Sequence, residues 1–170
     1  MNFRKAETRD IPEIIKIITA AQNYLSKQGI DQWQNNYPNQ ETIKEDIKQG
    51  NSYLIQQGNK IVATAAIIFA KDPTYDYIEN GDWITEGKYG VIHRAAVAAE
   101  YKGQAIMAEI FKKTYKLARR ENAESIRIDT HPDNFAMHRA IEKESFKYCG
   151  IIYTSDGSKR LAYEKVISNT

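Results

Sequence analysis

Three histidines are the residues of this chain whose side chains most readily take up a proton near neutral pH. His93 falls on a predicted strand and His131 follows the end of another, so each is a candidate general base. Asp129 could orient either imidazole through a hydrogen bond. The alternative for both histidines is a hydrogen-bonded structural role. His138, on a predicted helix, is expected to be a packing or surface residue.

The same side chains do not form a recognisable metal site. His131 and His138 lie seven positions apart, His93 is remote in sequence, and Cys149 is the single cysteine. None of these spacings resembles that of zinc ligands, so no metal is expected. Cys149 is interpreted as a buried strand thiol, because no partner that would activate it is visible.

A turn between a predicted strand and a predicted helix, at Val97–Ala108, is a candidate anion-binding segment. Backbone N–H groups at a helix start, with the aligned peptide dipoles behind them, attract phosphate. Lys102 adds positive charge at the turn, and Gly103 allows a ligand to approach the backbone closely. A plain connection is the alternative, because most turns of this kind bind nothing.

Hydrophobic periodicity and turn residues predict the elements that position these groups. The predicted strands cover residues 3–7, 52–57, 60–69, 89–98, 125–130, 147–153 and 160–166, and the predicted helices cover residues 10–28, 40–49, 104–121 and 134–143. Asp10 is expected to cap the first helix, with Glu13 reaching back, and Gly29 to close it. The Gly58-Asn59 pair predicts a hairpin, whereas the strand–helix–strand units of the second half predict parallel strands. The element order therefore predicts an α+β fold with a mixed sheet.

Length and composition favour a single globular domain spanning residues 1–170. Hydrophobic residues make up 42% and charged residues 27%, which is an ordinary balance. The net charge of +2 gives no electrostatic argument for nucleic acid, and no apolar run is long enough to cross a membrane. The single cysteine favours a reducing compartment. The charged N-terminus does not resemble a signal peptide, so a cytoplasmic protein is expected.

The turn at Val97–Ala108 resembles the pyrophosphate loop of the GCN5-related N-acetyltransferase (GNAT) superfamily. That loop has Arg or Gln, then Gly three positions later, then Gly or Ala after one further residue. Lys102, Ala105 and Met107 occupy those places here. The stretch 133–146 is similar to the family's Asn-helix-Tyr-Glu-Lys-x-Gly-Phe segment, and the element order matches along nearly the whole chain. Three short stretches are also similar to an uncharacterised bacterial subgroup: residues 72–76, 92–94 and 127–131.

This resemblance implies the acyl-CoA N-acyltransferase fold, a mixed, splayed seven-stranded β-sheet with helices on both faces. It also implies acetyl-CoA as co-substrate. The strands at 89–98 and 125–130 would lie parallel and then diverge around the pantetheine arm. The implied coenzyme contacts are Ala95, Ala96 and Val97 for the pantetheine amides, Lys102, Gly103, Gln104, Ala105, Ile106 and Met107 for the pyrophosphate, and Asn134 on the pantetheine side. A backbone N–H near Ala96 or Val97 would stabilise the oxyanion formed during acyl transfer.

The family's usual general acid, a tyrosine of the last helix, is replaced here by Ile141. Tyr148 is a candidate for that role by its nearness in sequence alone. Four aromatic residues of the two irregular segments are candidate walls of an acceptor pocket: Trp33, Tyr37, Tyr75 and Trp83. Simple packing of those segments is the alternative.

The resemblance implies an N-acetyltransferase that moves an acetyl group from acetyl-CoA to a primary amine by direct attack. The missing helix tyrosine and the altered loop leave a second hypothesis, a catalytically weak or inactive coenzyme-A-binding sensor or partner-binding module. A nucleic-acid-binding protein is a third hypothesis, but the chain has no groove-reading motif. The acceptor is expected to be a small-molecule amine or a peptide, and the protein a monomer or homodimer.

Overall fold

The structure is a computed structural model that describes residues 1–168. These residues form seven strands: β1 (Asn2–Lys5), β2 (Ser52–Gln57), β3 (Lys60–Ile68), β4 (Tyr89–Val97), β5 (Ser125–Thr130), β6 (Lys147–Tyr153) and β7 (Lys159–Val166). They also form four α-helices: α1 (Ile11–Lys27), α2 (Gln40–Lys48), α3 (Ile106–Arg120) and α4 (Phe135–Lys143). The fold class predicted from the sequence, a mixed α+β fold with seven strands, is confirmed. None of the helices in the described part is long and apolar enough to span a membrane.

The strands are hydrogen-bonded in the order β1-β2-β3-β4-β5-β7-β6. The strand β2 pairs antiparallel with both β1 and β3, and β7 pairs antiparallel with both β5 and β6. The parallel pairing predicted for β4 and β5 is present, with Tyr89 opposite Ser125 and Val91 opposite Arg127. The sheet is therefore mixed, as the alternation of hairpins and crossover helices requires.

Residues Met1–Ile67 and His93–Lys113 form one compact unit. Its core is built from the apolar stripe of α1, including Ile14 and Ile18, packed with Leu54 of β2 and Ala96 of β4. The three- and four-residue spacing of the isoleucines on α1 places them on one face of the helix. Gly29, with φ of +69°, follows the helix in the left-handed conformation that the sequence predicted.

The predicted capping of α1 by Asp10 is wrong. A 3-10 turn at Thr8–Asp10 precedes the helix, and the Asp10 side chain caps no group of α1. Its carboxylate instead accepts hydrogen bonds from the backbone N–H of Glu7 and from the guanidinium of Arg4, at 2.8 and 2.9 Å. Asp10 pairs with Arg4 of β1 instead of capping α1. A buried carboxylate is stabilised more by a bidentate charged partner than by backbone N–H groups alone.

The residues from Ile68 to Ile92 and from Thr114 to Ser168 belong to a second compact unit. Its core combines Tyr75 of the β3–β4 connection with Val91 of β4, Ile152 of β6 and Ala162 of β7. Tyr75 and Trp83 thus pack the connection onto this core, which is the alternative role that the sequence left open for them. It contains a 3-10 turn at Pro73–Tyr75, in which the Asp72 side chain accepts a hydrogen bond from the N–H of Thr74.

The third helix begins two residues later than predicted, at Ile106 instead of Gln104. Gly103 and Ala105 have φ values of +80° and +58°, which no right-handed helix accommodates. The chain therefore completes a separate turn before α3 starts, and that turn is the segment to which the anion-binding prediction refers.

Candidate active site

The turn before α3 presents its backbone to solvent. Lys102, Gly103, Gln104 and Ala105 are all exposed, whereas Ile106, the first helical residue, is buried. A Cβ atom built on Gly103 would meet no other atom within 4 Å, so the space beside this backbone is open. The first four N–H groups of a helix lack an intrahelical partner, and the positive end of the helix dipole lies at the same place. The geometry of the turn suits an anion.

The side chain of Lys102 has a defined neighbour. Its ammonium lies 3.9 Å from the centre of the Tyr24 ring of α1, and that ring is 41% exposed. A cation over an aromatic face gains electrostatic stabilisation from the ring quadrupole. The amide of Gln104 donates a hydrogen bond to the backbone oxygen of Glu100 at 3.2 Å. Lys102 therefore contributes a positive charge held close to the turn.

The second half of β4 contains an unusual backbone conformation. Arg94 has a φ of +50°, although it is neither glycine nor asparagine and lies in the middle of the strand. His93 before it and Ala95 after it are half-buried, Ala96 is buried, and Val97 is half-buried. The next residue, Ala98, donates its backbone N–H to Val62 of β3 at 2.9 Å. The left-handed residue reorients the peptide planes on both of its sides, directly before the backbone groups predicted to meet the coenzyme.

The side chain of Arg94 forms a buried ion pair. Its Nε and Nη2 atoms donate to the two carboxylate oxygens of Asp46 in α2 at 2.7 and 2.6 Å, and its Nη1 donates to the hydroxyl oxygen of Tyr37 at 3.0 Å. Burial alone would lower the pKa of the guanidinium, but the hydrogen bonds and charges of these partners outweigh it and raise that pKa. The ring of Tyr37 is 45% exposed, so this predicted acceptor-side residue is accessible. Trp33 instead packs against the core of the first unit.

The predicted base His131 contacts the loop that follows it through its Nδ1 atom. Its Nδ1 accepts a hydrogen bond from the backbone N–H of Asp133 at 3.0 Å. In the neutral ring the proton must then reside on Nε2. Next to it, the side chain of Asn134 caps α4 by accepting from the N–H of Met137 at 3.2 Å. Both residues thereby shape the loop that follows β5.

His138 is a packing residue, as predicted. Its Nε2 lies 3.1 Å from the carbonyl oxygens of both His131 and Pro132, and its Nδ1 lies 2.9 Å from the hydroxyl oxygen of Tyr163. Carbonyl oxygens only accept, so Nε2 carries the proton and Nδ1 accepts from Tyr163. Tyr148, the predicted acid, is 53% exposed. Its ring meets that of Tyr163 edge-on, with 5.6 Å between the ring centroids.

Three of the predicted side chains meet in the second unit. The hydroxyl of Tyr75 donates to the Asp129 carboxylate at 2.6 Å, and the indole N–H of Trp83 donates to the backbone oxygen of Tyr75 at 2.9 Å. Burial, together with the negative charge of Asp129, raises the pKa of the Tyr75 phenol well above its ordinary value. Tyr75 therefore remains a hydrogen-bond donor and holds Asp129 in place.

A buried ion pair lies beside these groups. The fully buried carboxylate of Glu164 accepts from Arg127 at 3.2 Å, from the hydroxyls of Ser125 and Thr85, and from the backbone N–H of Ile84. Burial alone would raise the pKa of this carboxyl, but these partners outweigh it and lower that pKa. The guanidinium of Arg127 also lies between two aromatic rings, 4.2 Å from that of Trp83 and 3.9 Å from that of Tyr89.

Sequence reasoning missed Glu164 and the part that Arg127 plays. Both residues are buried and lie opposite each other in the β5–β7 register. Neither strand signals the pair by its residue types, because polar residues such as Ser125 and Asp129 share the face of β5 that carries Arg127.

A cleft of about 930 Å³ opens in the second unit. Tyr75, Trp83, Tyr89 and Arg127 lie along it, with residues of the β3–β4 connection. The connection that the sequence assigned to the acceptor side thus lines the cleft with two of the four aromatic residues predicted to do so. The volume lies within the range of small-molecule sites.

No group of three or more potential metal ligands occurs among the described residues. Cys149 is buried, and burial raises the pKa of its thiol to about 11, which keeps it protonated at neutral pH. Ile141, which the resemblance aligns with the family's helix tyrosine, is completely buried. That position therefore supplies no proton donor.

Comparisons with known proteins agree with the fold. A model of the acetyltransferase (GNAT) family matches residues 18–146. A GNAT-family acetyltransferase from Streptococcus agalactiae 2603 has a similar structure, with a TM-score of 0.88 and 30% identity, covering 99% of this chain and 96% of that one. Comparison with curated protein sequences gave no match.

Two more distant structures share the fold. An acetyltransferase of the GNAT family from Listeria monocytogenes 4b F2365 has a TM-score of 0.74 and 19% identity, covering 97% of this chain and 94% of that one. The ribosomal-protein-S18-alanine N-acetyltransferase from Escherichia coli has a TM-score of 0.67 and 16% identity, with coverages of 99% and 95%.

Proposed function

Because this chain belongs to the acetyltransferase (GNAT) family, we propose that it moves an acetyl group from acetyl-CoA to a primary amine by direct attack on the thioester. Acetyl transfer as such follows from the family. The observation that carries the finer proposal is the exposed turn at Lys102–Ala105, which ends at the start of α3 and presents free space beside Gly103. A structural relative of known acceptor, the S18-alanine N-acetyltransferase, acts on an amine of a protein.

The coenzyme contacts follow from the chemistry of the backbone. N–H groups of Lys102 to Met107 would hold the pyrophosphate, with the Lys102 ammonium adding charge, because phosphate oxygens are strong acceptors for such groups. Backbone groups of Ala95 to Val97 would pair with the pantetheine amides, and one N–H near Ala96 or Val97 would stabilise the oxyanion. Asn134 would help to hold the pantetheine side.

His93 is the better of the two candidate bases. An amine must lose its proton before it attacks, and a neutral imidazole can accept that proton. His93 lies on β4 directly before Arg94 and the backbone of Ala95–Val97 that is proposed to meet the coenzyme. His131 follows β5, and its Nδ1 accepts the N–H of Asp133 in the loop before α4. We therefore assign proton removal to His93 and a structural role to His131.

The acceptor is expected to be cationic. Asp76, Asp82 and Glu86 line the cleft of the second unit and form no ion pair within residues 1–168, whereas Lys71 is the one cation of the lining without such a partner. The other cations of the lining are compensated, because Lys88 pairs with Glu121 and Arg127 with Glu164. The unpaired charge of the cleft is therefore negative, which favours polyamines or lysine-rich peptides over acidic amines.

The test is release of free thiol from acetyl-CoA in the presence of matched amines. We expect faster release with spermidine or a lysine-containing peptide than with glutamate, and a smaller preference in the Asp82→Asn variant. His93→Ala should lower kcat by about 100-fold or more, with little change in coenzyme affinity. His131→Ala should lower kcat by no more than about fivefold, the effect of one neutral hydrogen bond. Equal rates in wild type and His93→Ala would refute the assignment of the base.

A second function is favoured by one observation. Ile141 is completely buried where the family has its proton-donating tyrosine, and this supports a coenzyme-A-binding sensor with weak or no transfer activity. Isothermal titration separates the two functions. A sensor would bind acetyl-CoA with normal affinity, and thiol release would stay at the background rate for every amine in the panel.

A further inference from the structure

The left-handed backbone of Arg94 needs a physical cause. An L-residue with a Cβ atom is disfavoured in this conformation by roughly 5- to 30-fold relative to the ordinary backbone. Arg94 nevertheless adopts it with φ of +50° in the middle of β4. Such a conformation persists only where surrounding interactions determine it.

The surrounding interactions are those of the Arg94 side chain. Both carboxylate oxygens of Asp46 accept from it at 2.6 and 2.7 Å, and the two side chains are only 12% and 10% exposed. A buried guanidinium without its carboxylate is strongly disfavoured, so the side chain is confined to the position that reaches α2. Tyr37 accepts from the remaining Nη1 atom and ties the same group to the loop before α2.

The consequence of this conformation is local. A residue with positive φ turns the peptide planes on either side of it, here those joining His93 to Arg94 and Arg94 to Ala95. His93 and Ala95 are the residues from which the proposed function draws its base and its first backbone contact with the coenzyme. The direction of both therefore depends on whether Arg94 keeps its left-handed geometry.

We propose that Arg94 is a positioning residue of the acetyl-transfer reaction: its ion pair with Asp46 holds the left-handed backbone that aims His93 and the main chain of Ala95–Val97. This rests on the function proposed above. Arg94 does not touch the reacting atoms. It sets the backbone around them, and Asp46 acts on catalysis only through it.

Three variants separate the ion pair from the backbone conformation. Arg94→Ala removes the ion pair and leaves a residue that resists positive φ. Arg94→Gly removes the same ion pair but adopts positive φ as readily as negative φ. Asp46→Asn keeps the arginine and removes its charge partner. We expect the affinity for acetyl-CoA to fall by roughly fivefold or more in Arg94→Ala and Asp46→Asn, and to stay within about threefold of wild type in Arg94→Gly.

A matched control lies in the same unit. Arg4 and Asp10 form a bidentate pair at 2.8 and 2.9 Å, and Asp10 is as buried as Asp46. Asp10→Asn should therefore lower the urea midpoint much as Asp46→Asn does, while coenzyme affinity and kcat remain unchanged. Equal loss of affinity in both variants would identify general destabilisation and overturn the proposal, as would equal affinities of Arg94→Gly and Arg94→Ala.

Amide chemical shifts measured without ligand test the role of Arg94 independently of the proposed function. The amide resonances of Ala95 and Ala96 should shift in Arg94→Ala and remain near their wild-type positions in Arg94→Gly. If wild type bound no acetyl-CoA, the proposed function would fail, whereas these resonances would still report whether Arg94 sets the backbone. Unshifted amides in Arg94→Ala would overturn the positioning role by themselves.

Discussion

Replacing Ala105 by glycine should stabilise the protein, whereas the same replacement at Ala108 should destabilise it. Ala105 is exposed and has φ of +58° in the turn before α3, and Ala108 is the third residue of that helix. Both substitutions remove one methyl group and give the unfolded chain the same additional freedom. Any difference between them therefore reports the native backbone at the two positions.

The magnitude follows from the two conformations. Left-handed geometry disfavours an alanine by roughly 1–2 kcal/mol, and glycine loses about 0.5–1 kcal/mol more conformational entropy on folding. Ala105→Gly should therefore raise the free energy of unfolding by up to about 1 kcal/mol. Glycine inside a helix is about 1 kcal/mol less favourable than alanine, so Ala108→Gly should lower it by roughly that amount.

Urea unfolding followed by circular dichroism measures both free energies on the same scale. The expected difference between the two variants, about 1–2 kcal/mol, exceeds the uncertainty of comparing midpoints of similar slope. If Ala105→Gly proved as destabilising as Ala108→Gly, residue 105 would be helical. The separate turn that the coenzyme proposal requires would then not exist.

Three further predictions concern buried or exposed charges. Glu164→Gln should lower the free energy of unfolding by about 3 kcal/mol in urea unfolding, because it leaves the guanidinium of Arg127 buried without a counter-charge. The pKa of Asp10 is lowered by its hydrogen bonds with Arg4, so its stabilising contribution is complete above about pH 4 and is lost as the pH falls further. The gap in urea midpoint between wild type and Asp10→Asn should therefore narrow from pH 6 to pH 3. Lys102→Ala should weaken acetyl-CoA binding by roughly threefold to tenfold at low salt and by less at high salt, as measured by calorimetry.

Each of these has a result that would contradict it. A midpoint for Glu164→Gln close to that of wild type would mean that the carboxylate contributes little to stability. A constant gap between wild type and Asp10→Asn across this pH range would show that Asp10 titrates normally. Lys112→Ala, which removes an exposed lysine paired with Glu109 on α3, should leave affinity unchanged. An equal effect in both lysine variants would indicate a diffuse electrostatic attraction and no specific role for Lys102.

Much of the fold could be predicted from the sequence because the patterns that indicate strands, helices and turns are local. Gly58-Asn59 predicts the β2–β3 hairpin through its turn geometry, and Gly58 indeed has φ of +59°. The alternation of apolar and polar residues in Ser125–Thr130 gave the bounds of β5 correctly. Hydrophobic periodicity and turn propensity depend on residues that are close together in the chain. They can therefore be recognised from the sequence when the distant contacts are unknown.

The features that sequence reasoning missed depend on distant partners. Asp10 lies where a helix cap is expected, yet Arg4 of the neighbouring strand determines its contacts. Arg94 reaches a carboxylate 48 residues away, and Arg127 one 37 residues away. The left-handed backbone at Arg94 and Ala105 could not be predicted from residue type, because neither position is occupied by glycine or asparagine. Positions of this kind depend on tertiary contacts, and these two lie in the segments to which the chemistry is assigned.

Hydrogen exchange with and without acetyl-CoA tests the proposed coenzyme site most directly. If main-chain N–H groups from Lys102 onward grip the pyrophosphate and those near Ala96 meet the pantetheine, the ligand should slow amide exchange at 102–107 and at 95–97. The hairpin of β2 and β3 should exchange at its original rate. Unchanged exchange at 102–107 under saturating acetyl-CoA, or protection confined to other segments, would contradict the proposed site.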